Sequence, residues 1–147
     1  MSKAKSIGTR AETAVRNHLL SKGYDPLEAH RNVLKGSLDE GDVWLREYFG
    51  LVVFEVKGGN AAKTASHNQI LKWFQEAETE KENANAKLGF LVTQRAGVGY
   101  PRSGEWWAYA DLSDLIWLRT RTDSHPRGTI TRLLLSDLVE LFKHGER

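Results

Sequence analysis

Two short alternating runs, separated by Tyr48-Phe49-Gly50, constrain the fold of this chain more than any other feature. Apolar residues alternate with polar ones through much of 42–47 and 51–57, which is typical of strands whose two faces meet different surroundings. A turn at Phe49-Gly50 joins the runs into a β-hairpin that pairs Val43 with Val56 and Leu45 with Phe54. This pairing predicts one apolar face, which we expect to lie against the core.

The opposite face of the predicted hairpin carries Asp42, Glu55 and Lys57, with Asp42 directly across from Lys57. Two carboxylates that converge repel each other unless a cation neutralises them, and Mg²⁺ prefers such oxygen ligands. A neighbouring lysine can orient or deprotonate a water molecule and offset developing negative charge. The three side chains therefore suit phosphodiester hydrolysis. A cross-strand ion pair between Asp42 and Lys57, with Glu55 solvated, fits the same geometry equally well.

Hydrophobic periodicity along the rest of the chain predicts an α/β fold, in which helices flank a mixed sheet. Helices are expected over 8–22, 66–83 and 111–118, and from Ser136 to Lys143. Further strands are expected over 27–34, 88–93, 106–110 and 129–135. With 147 residues and no linker-like tract, the chain fits a single domain, 1–147.

Composition excludes several classes of protein. There is no cysteine, so disulfide scaffolds and thiolate zinc sites are ruled out, and a reducing cytoplasm is expected. No apolar run is long enough for a membrane span, so no membrane association is expected. The net charge is only +2, although the N-terminal quarter is basic and could meet phosphates.

The residues around the hairpin resemble a known signature. Gly41-Asp42, followed by Glu55-Val56-Lys57, is similar to the motif of the PD-(D/E)XK nuclease superfamily, with Gly in place of Pro. A helix with Glu12 precedes the motif and a helix with Gln69 follows it. The resemblance implies a restriction-endonuclease-like α-β-β-β-α-β core over about residues 8–95, with 96–147 adding strands and a helix. Chain length, the N-terminal helix Glu and the small-residue segment before Asp42 most resemble archaeal-type and phage Holliday junction resolvases.

That resemblance implies roles for individual residues. Asp42, Glu55 and the Val56 carbonyl would hold Mg²⁺, for which Mn²⁺ would substitute, and Lys57 would position the attacking water. Glu12 would complete the metal site or serve a second metal, and Gln69 would contact Lys57 or the phosphate. Both residues also fit helix capping boxes, Thr9-x-x-Glu12 and Ser66-x-x-Gln69, which need no active site.

The resulting expectation is a Mg²⁺-dependent, structure-selective DNA endonuclease that cuts four-way junctions. Junction symmetry implies a homodimer with paired active sites. Basic residues that flank the site in sequence are candidates for phosphate contacts: Arg31, Lys35, Lys63 and Lys72. A cytoplasmic location is expected, in the host if the chain is phage-encoded. A repair or recombination nuclease acting on flaps or single strands, and a non-catalytic DNA-binding protein, are the alternatives.

Overall fold

The computed structural model describes residues 3–32 and 42–143. Its main elements follow the predicted order, with one additional short helix and a 3-10 segment at Tyr100–Glu105. The elements are α1 (Lys3–Ser21), β1 (Ala29–Arg31), β2 (Val43–Glu47), β3 (Gly50–Lys57), α2 (Gly59–Lys63), α3 (His67–Asn83), β4 (Leu88–Thr93), β5 (Trp107–Asp111), α4 (Leu112–Thr120), β6 (Ile130–Leu134) and α5 (Leu135–Lys143).

The strands of the described residues form one six-stranded sheet whose spatial order equals the chain order. Strand β3 runs parallel to β4, and the other neighbouring strands are antiparallel. A parallel pair requires a crossover, and α2 and α3 supply it. The predicted α/β class with a mixed sheet is therefore confirmed.

Helices cover both faces of the sheet. On one face, α1, α4 and α5 pack over the main core, to which the apolar side of the β2–β3 hairpin contributes. On the other face, α3 lays Ile70, Phe74 and Ala77 against Leu91 of β4. Burial of each large apolar side chain contributes about 1.5–3 kcal/mol, so these two layers fix how the sheet sits between its helices. None of the described helices combines the length and apolarity that a bilayer crossing requires.

Two helix starts differ from those predicted. Helix α1 begins at Lys3, two turns before the expected cap at Thr9, so the predicted Thr9-x-x-Glu12 capping box is wrong. Helix α5 begins at Leu135, which places Ser136 inside the helix. The start of α3 is confirmed, because the Ser66 hydroxyl accepts a hydrogen bond from the Gln69 N–H at 3.2 Å. Helix α2 lacked a sequence signal because it is only five residues long.

Candidate active site

The register of the β2–β3 hairpin decides which side chains meet. The observed pairs are Val43 with Phe54 and Leu45 with Val52, two residues away from the predicted pairing. The turn is centred on Tyr48-Phe49, and Gly50 pairs with Glu47. Gly50 has a φ of 136°, which residues with a side chain rarely adopt. The predicted faces nevertheless hold, since a shift by two residues keeps every side chain on its side.

The corrected register places Asp42, one residue before β2, opposite Glu55 rather than opposite Lys57. The Asp42 N–H donates to the Phe54 carbonyl at 2.9 Å. The Val56 N–H donates to Asp42 Oδ2 at 2.8 Å. Because the N–H and C=O of one strand residue point to the same side, the Val56 carbonyl also faces Asp42. The backbone of β3 thereby fixes the Asp42 carboxylate next to two further oxygen donors.

Glu55 is a buried carboxyl group, only 4% exposed. Burial raises its pKa; a hydrogen bond with Asp42 lowers it, whereas the hydrogen bond and the charge of Glu80 raise it. The resulting pKa is about 8. Burial beside Glu80 therefore favours the protonated form of Glu55, and a nearby cation would favour its anion.

Lys57 lies on the same face as Glu55, in the mouth of the site. Its ammonium Nζ is 3.6 Å from Glu55 Oε2 and 3.3 Å from Glu76 Oε2. It also lies 5.6 Å from the centre of the Trp73 ring. Burial lowers the pKa of Lys57, but the charges of Glu55, Glu76 and Asp42 outweigh it and raise the pKa above its usual value. Lys57 is therefore a positive charge at neutral pH.

Glu12 projects from the middle of α1 towards the same place. Arg31 of β1 donates two hydrogen bonds to Glu12 Oε1, from Nε at 3.2 Å and from Nη2 at 3.1 Å. Burial and the nearby charge of Asp42 raise the pKa of Glu12, while Arg31 lowers it. Glu12 and Asp42 line the same cleft, and the ion pair with Arg31 explains how a further carboxylate is tolerated there.

These groups line one open cleft of ≈ 340 Å³. Its lining includes Glu12, Asp42, Glu55, Val56 and Lys57, and the cleft is thus built from the residues predicted from sequence. Helix α1 approaches the end of β3 closely here, since a Cβ added at Gly58 would lie 2.6 Å from the Cβ of Ala11. The close packing of α1 on β3 sets how near Glu12 lies to Asp42.

Helix α3 supplies residues that the sequence did not identify. Glu76 and Trp73 contact Lys57, and Glu80, which is 2% exposed, lies against Glu55. Their spacing of three and four residues places them on one face of the helix. Glu80 lies one helical turn after the buried Ala77, and this spacing could have indicated that its side chain is buried. The Glu-rich sequence around it, however, is more typical of a solvated face.

The other residues predicted to belong to the site or to contact DNA lie in different surroundings. Gln69 lies on α3 one turn before Trp73 but is not among the described residues that line the cleft. The Arg31 guanidinium hydrogen-bonds to Glu12, whereas Lys63 and Lys72 have exposed side chains. Lys35 lies outside the described residues, as does Gly41 of the motif.

The donor set fits a hard divalent cation in part. Two carboxylates and the Val56 carbonyl converge, which suits an ion that keeps several waters. The high pKa of Glu55 also marks a buried carboxyl group that a cation would stabilise as its anion. Within residues 3–32 and 42–143, however, no three His, Asp or Glu side chains form a group that could hold a metal ion. Glu12 bonds to Arg31 in this conformation and would have to turn to become a third ligand.

Comparison with known proteins gives no identification. No protein-family model, curated protein or solved structure matches this chain.

Proposed function

We propose that this protein is a metal-dependent DNA endonuclease with a restriction-endonuclease-like core of the PD-(D/E)XK type, and that it cuts branched DNA. The observation that carries the proposal is the meeting of Asp42, Glu55 and Lys57 in one solvent-open cleft. An ion pair that served structure alone would not require a second buried carboxyl group beside it. The order α1-β1-β2-β3-α2-α3-β4, in which Asp42 and Glu55 lie on the β2–β3 hairpin, supports the same assignment.

The proposal gives each group a role. Asp42, Glu55 and the Val56 carbonyl would hold Mg²⁺, or Mn²⁺ in its place. When bound, the cation would lower the pKa of an attacking water and stabilise negative charge on the phosphate. The hydrogen bond from the Val56 N–H holds the Asp42 carboxylate in place, which supports this role.

Lys57 stabilises charge and orients water rather than acting as a base. The charges of Glu55, Glu76 and Asp42 raise the pKa of Lys57 above its usual value, which favours the protonated form and hydrogen-bond donation over proton uptake. Its ammonium group, which is partly exposed, can donate hydrogen bonds to the phosphate and to the attacking water. Glu76 and Trp73 hold the side chain in the cleft while it does so.

Four-way junctions are the proposed substrate, and a homodimer would bring two active sites to symmetric strands. The test is cleavage of end-labelled four-way junctions and sequence-matched linear duplexes with Mg²⁺. Asp42→Asn keeps an oxygen acceptor for the Val56 N–H, and Lys57→Ala removes only the ammonium group and its stem. We expect each to lower the cleavage rate by roughly 100-fold or more.

The proposal fails if Asp42→Asn and Lys57→Ala cut at the wild-type rate. Asp123→Asn is the matched control because Asp123 is exposed and lies in the loop between α4 and β6. Equal cutting of junctions and of simple flaps would retain the nuclease and reject junction selectivity.

A further inference from the structure

A second concave surface lies on the α3 side of the sheet, between the start of α3 and the strands β5 and β6. It consists of two adjoining depressions of ≈ 270 and ≈ 360 Å³, which share Tyr109 and Arg132. We call it the basic groove and define it by Lys63, Arg95, Trp107, Tyr109 and Arg132. None of the described residues that line it is acidic. The groove therefore presents cations and aromatic rings, while Glu105, whose carboxylate interacts electrostatically with Arg95, lies outside its lining.

The Trp107 ring contacts two of the cations of the groove. The Arg95 guanidinium carbon lies 4.4 Å from the centre of the Trp107 ring, and that of Arg132 lies 4.0 Å from it. Such cation–π contacts hold an arginine in place without neutralising it. Among the described residues neither guanidinium forms a salt bridge with a carboxylate, whereas Arg127 pairs with Glu78 and Asp114. The two arginines are thus positioned for an anion that comes from outside the chain.

The groove and the catalytic cleft lie on the same face of the sheet. Lys57 pairs with Thr93, and Thr93 pairs with Trp107, so the three residues form one row across β3, β4 and β5. Two strand spacings separate Lys57 from Trp107, which is about 10 Å. Helix α2 lies between the catalytic cleft and the basic groove, because Ala61 lines the cleft and Lys63 lines the groove.

We propose that the basic groove binds an unpaired DNA strand that continues from the substrate held in the catalytic cleft. The inference rests on the proposed nuclease function. To four-way junctions, whose bases are all paired, it adds a second class of substrate, branched DNA that carries a single-stranded segment. Arg95, Arg132 and Lys63 contact the phosphates, and an exposed base stacks on Tyr109 or on a guanidinium plane. A stacked DNA strand advances about 3.4 Å per nucleotide and an unstacked one advances further, so about three nucleotides at most separate the groove from the scissile phosphate.

An unpaired strand explains the groove better than a duplex does. Binding of a duplex backbone needs cations alone, because paired bases keep their faces stacked inside the helix. Tyr109 would then contribute nothing to the contact, and Trp107 would only hold the two arginines. Stacking platforms beside cations are typical of proteins that bind single strands.

The test is fluorescence anisotropy with labelled DNA and metal-free protein in EDTA, so that no cleavage occurs. Two ligands are compared, a blunt duplex and the same duplex with a single-stranded tail. We expect the tail to increase the affinity of the wild type by roughly tenfold or more. In Arg95→Ala/Arg132→Ala, the tail should add less than about threefold, while affinity for the blunt duplex changes little.

Lys87→Ala is the matched control. Lys87 also places its cation over a tryptophan, 4.2 Å from the ring centre of Trp117, but it precedes β4 at the opposite end of the sheet. This variant should bind both ligands as the wild type does. Should the double variant fold poorly, Lys63→Ala replaces an exposed residue of α2 and should remove part of the tail's contribution.

Three results would overturn the inference: no tail-dependent affinity in the wild type, an undiminished tail effect in the double variant, or an equal loss on both ligands. The last result would indicate phosphate attraction alone. Failure of the nuclease proposal is separable, since it would appear as absent cleavage while the tail-dependent binding persisted. Conversely, normal cleavage without tail-dependent binding would reject only the groove.

Discussion

Asp42 lies opposite Glu55 across the β2–β3 ladder, and the Asp42 carboxylate accepts the N–H of Val56 at 2.8 Å. Two acidic groups are thereby placed together at the start of one strand and near the end of the next. Two charged neighbours act on Glu55 in opposite directions. Lys57 stabilises its anionic form, and Glu80 destabilises it. If a divalent cation binds here as proposed, it should displace the proton that burial favours on Glu55.

The first prediction concerns the pH dependence of stability without metal. The pKa of Glu55 is raised from 4.5 to about 8, so the folded state favours the protonated form. This contribution to stability is fully present below about 4.5 and is lost as the pH rises through about 8. Glu55→Gln cannot ionise, so its melting temperature in EDTA should fall less than that of the wild type over this range.

Added Mg²⁺ should oppose the loss of stability of the wild type as the pH rises, and it should not do so for Glu55→Gln. Proton release accompanies binding to Glu55, so stabilisation by Mg²⁺ should increase with pH. Thermal melts at several pH values, with EDTA and with Mg²⁺, measure both effects. Identical pH profiles for wild type and Glu55→Gln would show that the Glu55 carboxyl group does not hold the proton that the cation displaces.

The second prediction concerns Glu80, the buried acid of α3. Glu80→Gln keeps the volume and removes a charge that raises the pKa of Glu55. The pKa of Glu55 should fall, and Mg²⁺-dependent cleavage should extend to lower pH. Glu82→Gln is the matched control, since Glu82 lies on the same helix with an exposed side chain. A pH–rate profile that moves equally in both variants would indicate an effect of net charge rather than of the contact with Glu55.

The faces of the hairpin could be predicted from sequence, but its register could not. Alternation alone placed Val43, Leu45 and Phe54 on the core side, and burial confirms this. The predicted turn at Phe49-Gly50 is wrong, and the observed turn is Tyr48-Phe49. Both give a two-residue connection, so the length of the loop could not decide between them. Gly50 favoured the first choice, yet its positive φ belongs to the residue after the turn.

The tertiary partners of the site had no local signal. Arg31 lies 19 residues after Glu12, and only the packing of α1 against β1 brings them together. Glu76 and Glu80 look like part of a solvated acidic run until α3 is laid across β3 and β4. Hydrophobic periodicity identifies the apolar stripe of such a helix, but it cannot tell which flanking acid meets a charge on the sheet.

The third prediction separates the two roles open to Glu12. If Glu12 supports the cation, Glu12→Gln should weaken apparent Mg²⁺ affinity in cleavage by roughly 10- to 100-fold. DNA affinity in EDTA should remain close to that of the wild type. Titration of Mg²⁺ at fixed DNA concentration measures the first effect, and anisotropy measures the second. An unchanged Mg²⁺ dependence would leave Glu12 as a partner of Arg31 alone.

Arg31→Ala provides the complementary measurement. Arg31 lowers the pKa of Glu12, so its removal should raise that pKa and weaken Mg²⁺ binding most at low pH. Because its guanidinium is engaged by Glu12, loss of Arg31 should change the DNA affinity in EDTA by less than about threefold. A large loss with a reduced salt dependence would instead identify Arg31 as a phosphate contact.

The last prediction tests the close packing of α1 on the end of β3. A Cβ at Gly58 would lie 2.6 Å from the Cβ of Ala11 and 3.6 Å from the Ile7 carbonyl oxygen. Gly58→Ala should therefore push α1 away, at a cost of about 1–3 kcal/mol in the free energy of unfolding. The same displacement moves Glu12 away from Asp42, so Mg²⁺-dependent cleavage should fall as well.

Gly8→Ala is the matched control for Gly58→Ala. Gly8 lies within α1, and nothing lies within 4 Å of a Cβ built there. Alanine is favoured over glycine inside a helix, so this variant should gain about 0.5–1 kcal/mol. Urea denaturation measures both variants, and Ala11→Gly combined with Gly58→Ala should recover part of the loss because it removes the colliding methyl group. If Gly58→Ala is as stable as the wild type, α1 does not pack on β3 at this distance, and the proximity of Glu12 to Asp42 loses its structural basis.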